Sequence, residues 1–225
     1  MRWGTNDILE LTKKLTRKNQ SGNISATDLF YIWNSEQMMF FQDIIGRWQA
    51  RANGKSGVNT GLIINEISLS ELAFFIIEHD LTITSGLADK PTDFEYMIAL
   101  RVSDIYKCQL IRPDQIPAVS QSVIDPPSVT NNKYYAIEYE DQYSFLPNTI
   151  TDAQLDYIAT PTDIKWGFTF DPDGRQIYNP GSSVQPKWSN VTIVEITKRT
   201  LNTLGVSWKD KDFIDAGRSA QLTGN

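Results

Sequence analysis

Apolar residues recur with two different periods along this chain, and the change of period divides it. From Asp7 to Lys18, Ile8, Leu9, Leu11 and Leu15 fall on one side of a helical wheel, which predicts a short amphipathic helix capped by Thr5 or Asn6. Its second half carries Lys13, Lys14, Arg17 and Lys18. Cations there complement the C-terminal end of the helix dipole, a simpler account than a nucleic-acid patch. Ser25 and Asp28 then stand at capping-box spacing. Leu29, Trp33, Phe40, Ile44 and Trp48 follow, with Phe30, Met38, Phe41 and Ile45 beside them, and predict a long helix from Ala26 to Ala52. Its apolar arc is wide for a helix packed on one side, so we expect it to be sandwiched in a core or covered in part by another subunit. Asn53-Gly54 and Ser56-Gly57 end it, with a loop running to Gly61. Ser68 and Glu71 repeat the capping-box spacing. Leu72, Phe75 and Ile76 give a third helix its core face, and His79 closes it, complementing the dipole.

After Asp80 the period falls to two. Leu81-Thr-Ile-Thr alternates, and Phe94–Val102, 104–111, 134–139, 143–146 and 155–158 are short β-rich runs split by Pro, Asn and acidic punctuation. A short helix is expected within 113–122, weakened by Pro117. Residues 159–188 are rich in Pro, Gly and Asp and carry Trp166, Phe168, Phe170, Tyr178 and Trp188. A stretch of that length without regular structure is uncommon and usually functional, often an arm or binding loop. Helical spacing returns after Asn190, the expected cap. Val191, Val194 and Leu201 form one row, Ile193, Ile196 and Leu204 another, and Gly205 is the expected C-cap. Ser207 or Asp210 opens a last short helix holding Phe213 and Ile214, and Arg218–Asn225 reads as a flexible polar tail. The fold class is therefore α+β: a helical bundle from both ends of the chain (1–79 with 186–225), with an inserted, mostly antiparallel β-rich subdomain and a long irregular aromatic arm (80–185).

Composition narrows the chemistry. The 225 residues suffice for one large domain or a domain with an insertion. Such a chain buries roughly 70% of its unfolded surface without disulfides, and one cysteine, Cys108, permits no internal one. A single histidine, His79, excludes multi-histidine metal sites and two-cysteine, two-histidine zinc fingers. The net charge of −6 leaves no basic field to hold nucleic acid tightly. The opening residues have no apolar h-region and no cleavage site, so no signal peptide is expected and the setting is a reducing cytoplasm. The longest apolar runs, 72–77 and 38–41, fall far short of the ~20 residues of a membrane helix. The sequons at Asn23 and Asn190 then read as helix-start signals.

Catalytic patterns are thin. No G-x-S-x-G, P-loop or dinucleotide fingerprint occurs. Asp171-Pro-Asp173-Gly174 resembles half of a calcium loop, but its Asp and Gly residues suit a tight turn directly. Glu138, Glu140 and Asp141 are candidate carboxylates for acid–base work. Glu138 and Glu140 read better as a solvated charged edge that discourages strand addition. Cys108 reads as a buried small hydrophobe. No cofactor or metal is expected. Six Trp and nine Tyr are generous for this length, and exposed aromatics are common interface residues.

Taken in order, these features resemble a known family. A capped helix carrying NSEQMMFFQDIIGRWQ leads into a β-rich middle that ends in LDYIATPTDIKWGF, and the helix of PKWSNVTIVEITKRTLNTLGVSWKD follows. The most specific pieces are Leu155-x-Tyr157-x-x-x-Pro161-x-x-x-x-Trp166 and Trp188 ahead of the Ile-rich helix ending in Leu204-Gly205-Val206. This pattern is similar to the head-to-tail connector (adaptor or ring) proteins of short-tailed, crAss-like phages. It spans about 25–52, 94–102, 134–168 and 186–213, roughly half of the chain.

The resemblance implies a structural virion protein without enzymatic activity, assembled in the host cytoplasm. It implies a homo-oligomeric ring of about twelve copies, docked between the portal protein and other connector or tail rings. Double-stranded DNA would pass through its lumen without sequence-specific binding, and no membrane would be involved. The acidic balance fits such a lumen, since a negative wall repels phosphates and lets the duplex slide. The residues we expect at interfaces are Trp166, Phe168, Tyr178, Trp188, Trp208, Phe213 and Ile214. A second reading is a tail-associated module that binds a receptor or glycan through the aromatic 159–188 segment. A third is an enzyme built on an Asp/Glu pair, as in glycoside hydrolysis.

Overall fold

The chain divides into two compact units, 1–74 with 161–225, and 75–160. The structure is a computed structural model and describes residues 3–18, 24–52, 70–103, 105–124 and 126–205. In chain order the elements are α1 (Thr5–Lys18), α2 (Ala26–Ala52), β1 (Ile76–Thr82), β2 (Leu87–Asp89), β3 (Phe94–Val102), β4 (Tyr106–Lys107) and β5 (Gln109–Leu110). A 3-10 turn at Pro113–Gln115 leads into α3 (Ile116–Ser120). Then come β6 (Tyr135–Glu138), β7 (Gln142–Leu146), β8 (Asp152–Ala159), β9 (Phe168–Phe170), β10 (Gln176–Tyr178), a second 3-10 turn (Pro180–Ser182) and α4 (Asn190–Thr203). The fold is thus mixed α+β.

The first unit is built on α1, α2 and α4. Helix α2 starts where the sequence places it: Ser25 Oγ accepts from the Asp28 N–H at 3.1 Å and donates to Asp28 Oδ2 at 2.5 Å. Leu29, Trp33, Phe41 and Ile44 are buried along one face, joined by the polar Glu36 and Gln37. Tyr31 and Met39 stay exposed on the opposite face, so the apolar arc is not enclosed within this unit. The cap of α4 is Ser189, one residue before the expected Asn190. Ser189 Oγ accepts from Thr192 N at 3.3 Å, while Asn190 Oδ1 accepts from Trp3 N at 2.9 Å. Gly205 closes the helix at φ +74°, the left-handed conformation that makes glycine the usual residue after a helix.

Three fully buried threonines explain how these helices pack closely. Thr12, Thr197 and Thr200 each donate to the carbonyl four residues back, at 2.7–2.9 Å, so none of these three hydroxyls is orphaned. Two indoles complete the core. Trp33 Nε1 donates to Thr197 Oγ1 at 3.2 Å, and Trp188 Nε1 donates to Gln37 Oε1 at 2.9 Å. Trp188 lies edge-on to Phe40 and Phe41, with centroids 5.6 and 6.3 Å away.

The second unit holds two four-stranded sheets, ordered β1-β8-β3-β4 and β2-β7-β6-β5. All pairings are antiparallel except β5 with β6. Alternation along the strands turns Leu81, Leu100, Leu155 and Tyr157 of one sheet and Ala88, Ala136, Tyr143 and Phe145 of the other into one shared core. The neighbouring positions of β6, Tyr135 and Ile137, face the other way. They pack with Ile111 and with Ile116 and Val119, which lie in α3. Arg101 grips Asp156 with one guanidinium nitrogen 2.8 Å from both carboxylate oxygens.

Four expectations are corrected. The third helix does not reach His79. Among the described residues helical structure ends at Leu72, and Ile76–Thr82 is a strand paired with β8, His79 lying opposite Leu155. A short apolar run rich in Ile and Phe suits either state, and the strand partner decides. The 161–185 segment belongs to the helical unit, not to the β-rich insertion. It also contains a regular hairpin, β9–β10. Glu138 is exposed, as a solvated position should be, but it is not on an edge: β6 is an interior strand of its sheet, and Glu138 Oε1 pairs with Lys90 Nζ at 2.8 Å. That ammonium also sits 4.8 Å from the Phe94 ring centroid and 5.1 Å from that of Tyr143.

Trp188→Ala should destabilise the isolated chain by about 3–5 kcal/mol, because it opens a cavity and strands Gln37. Urea unfolding of the monomer reads this directly, and a change below about 1 kcal/mol would contradict the core assignment. Alkali should act on the second unit. Burial, then the hydrogen bond to Asp93 and its charge, raise Tyr157 to about 12. Burial and the Glu138 charge raise Tyr143 as well. Raised folded values mean that the stabilisation is complete below the ordinary tyrosine value of about 10 and is lost as pH climbs past it. Stability measured from pH 9 to 12 should fall over that window. Absorbance at 295 nm should show these two phenols ionising with unfolding, after the exposed tyrosines.

Candidate interaction surface: an aromatic hairpin and its groove

The sequence elements behind this surface are two short alternating triplets around a tight turn. Phe168-Thr169-Phe170 pairs with Gln176-Ile177-Tyr178, so Phe168 faces Tyr178 and Phe170 faces Gln176. Between them Asp171 Oδ1 accepts from Arg175 N at 2.7 Å, its carbonyl accepts from Gly174 N at 3.0 Å, and Gly174 takes φ +75°. The Asp-Pro-Asp-Gly stretch is therefore a turn and not a calcium loop.

Trp166 joins the hairpin to form a stacked ladder. Its ring lies 5.6 Å from Phe168 and 6.1 Å from Tyr178 at interplanar angles near 25°. Phe170 meets Phe168 edge-on at 5.4 Å. Such offset pairs add about 0.5–1.5 kcal/mol each beyond burial. Polar contacts then fix the ladder to α1. Trp166 Nε1 donates to Asn6 Oδ1 at 3.3 Å. Gln185 Nε2 donates to the Tyr178 hydroxyl at 2.8 Å, while its Oε1 accepts from Thr5 N at 2.8 Å, an otherwise orphaned donor at the helix start. Gly167 lets the chain double back. A Cβ there would fall 2.2 Å from Ser182 Oγ and 2.5 Å from its carbonyl carbon, so no larger residue fits.

The hairpin is rigidly held yet wet. Phe170 is 67% exposed, Ile177 52% and Phe168 39%. Beside it lies a groove of about 590 Å³. Leu9 and Lys13 of α1, Phe30 and Tyr31 of α2, and Trp166 and Phe168 line it. This arrangement can hold an apolar or aromatic group by burial and stacking.

The expected interface residues divide. Trp166, Phe168 and Tyr178 come together in one ladder. Trp188 does not join them: it is fully buried in the core of the same unit, edge-on to Phe40 and Phe41. Trp208, Phe213 and Ile214 lie outside the described residues. Phe170, Ile177 and Tyr31 were missed as site residues. The alternation on either side of Asp171-Pro-Asp173-Gly174 was the available signal for the first two. Burial raises the Cys108 thiol to about 12, so it is inert as a nucleophile near neutrality. Among the described residues no three His, Cys, Asp or Glu side chains gather as metal ligands, and no helix is long and apolar enough to cross a membrane. No protein-family model matches the chain, and no curated protein is detectably similar to it.

Gln185→Ala should cost about 1–2 kcal/mol, since it unpairs both the Thr5 amide and the Tyr178 hydroxyl. Hydrogen exchange at 168–178 should accelerate by roughly tenfold or more, following the lost local free energy. Unchanged exchange would show that stacking alone holds the hairpin.

Proposed function

We propose that this chain is a structural ring subunit of the head-to-tail connector of a short-tailed, crAss-like phage, docking between portal and tail and lining the DNA channel. In this reading the helices from both ends of the chain form the bundle that makes side-by-side subunit contacts. The β-rich insertion and the aromatic arm meet a neighbouring subunit or the next ring. The assembly is a ring of about twelve copies, closed by symmetry, formed in the host cytoplasm and incorporated into the virion.

One observation carries the reading: a hairpin fixed by stacking and hydrogen bonds that leaves Phe168, Phe170 and Ile177 in water. Exposed aromatic area on a preorganised element is what protein interfaces use, because little side-chain entropy is lost on docking. The segments that resemble the connector family also include the long elements α2, β3, β8 and α4. The formal charge of −6 per copy suits a lumen through which DNA slides. A second reading, a receptor- or glycan-binding module, is favoured by the groove beside the stacked Trp166.

Co-expression with the portal protein of the same source, followed by negative-stain electron microscopy, tests the proposal. Rings stacked on one end of the portal are expected and would give the symmetry. Free monomers beside bare portals at high concentration would overturn it in favour of the binding module.

A further inference from the structure

The groove and the hairpin turn carry opposite charge. Among the described residues lining the groove two are charged, the lysines Lys13 and Lys165. Lys13 lies 3.9 Å from Glu10, and its side chain keeps 32% of its surface accessible. Lys165 is exposed, and the backbone on which it sits is fixed by the paired bonds between its own and Val184's peptide groups. The turn offers Asp171 and the exposed Asp173, with Pro172 and Gly174 also exposed. None of the residues 171–175 lines the groove of its own chain. Its shape is set internally by the Asp171–Arg175 and Asp171–Gly174 bonds, and with the exposed Arg175 at its far side this knob keeps a net charge of −1 from Asp171 and Asp173. The groove volume of about 590 Å³ lies within the about 300–1,000 Å³ typical of sites that enclose a compact ligand, and a four-residue turn is of that scale.

We propose that the acidic turn of one copy seats in the groove of a second copy, with Asp173 between Lys13 and Lys165 and Phe170 against the Phe30–Tyr31 wall. The inference rests on the ring reading and supplies its subunit contact. Knob and groove are different patches of one chain, so the contact is heterologous. Contacts of that kind propagate round a ring instead of closing a two-fold dimer. The hairpin alone is too small to hold a stable interface, which buries about 800 Å² per partner. Its part is to set register, through charge complementarity that rejects misaligned neighbours.

The test mixes two differently tagged chains, Asp173→Cys and Lys165→Cys, and adds a short bis-maleimide. Both positions are exposed, so both variants should fold, and the buried native thiol stays silent. The mixture is examined at high concentration, alone and co-expressed with the portal. Links between the two tags are expected, with a ladder of oligomers when both cysteines are on one chain. Asp173→Lys should raise the concentration for half-assembly by about tenfold, and adding Lys165→Glu to the same chain should recover it. Rings that form with both cysteines reactive but with no knob–groove link would overturn this contact and leave the ring reading standing. Monomers under every condition, beside bare portals, would overturn both.

Discussion

Two indole N–H groups buried in the same core govern the helical unit. A buried donor without a partner costs about 1–3 kcal/mol, so each indole demands a polar atom inside an apolar core. Trp33 takes Thr197 and Trp188 takes Gln37. Each bond joins positions more than 150 residues apart in the chain, and together they lock α2 to α4 and to the segment that leads into it. Gln37 spends its amide on the Thr162 carbonyl, at 3.3 Å. One helical turn earlier, Asn34 exchanges two hydrogen bonds with the backbone of Ile164, at 2.9 and 3.1 Å. The returning chain is thereby clamped along α2, and Trp166 begins the aromatic ladder two residues later.

The inserted unit is closed on itself. Its entering and leaving strands pair with each other, Ala159 N donating to Phe75 O at 2.8 Å, so the insertion begins and ends at neighbouring points. Insertions whose ends meet are tolerated because the host loses little chain entropy in closing around them. The unit has its own core, from Leu81 to Ala159, and its own polar ties, Arg101 to Asp156, Lys90 to Glu138 and Tyr157 to Asp93.

The hairpin shows how a polar frame keeps aromatic area in water. Thr5, Asn6 and Gln185 hold the ladder at one edge, and Gly167 allows the chain to pass against Ser182 at the other. Phe170 and Ile177 keep most of their surface in solvent, although Phe170 meets Phe168 edge-on at 5.4 Å. The rigid frame means that docking a partner there orders little that is not already ordered.

Local pattern alone determined the elements whose signal is complete within one stretch of chain. Helix α2 runs from Ala26 to Ala52 and strand β3 from Phe94 to Val102, as periodicity and capping require. The turn at Asp171–Gly174, the C-cap at Gly205 and the burial of Cys108 were legible for the same reason. Tertiary structure decided the rest. Ile76–Thr82 is a strand because β8 lies beside it, although its residues also suit a helix. Alternation on either side of the turn is a signal for β9 and β10, but in strands of three residues only the stacking on Trp166 shows which face matters. Trp166 and Trp188 are the same residue in one Pro- and Gly-rich stretch, yet one edges a groove and the other is sealed in the core. Periodicity is a property of neighbours in sequence. Burial of a side chain in an irregular segment depends on partners far along the chain, here Gln37 for one indole and Asn6 for the other.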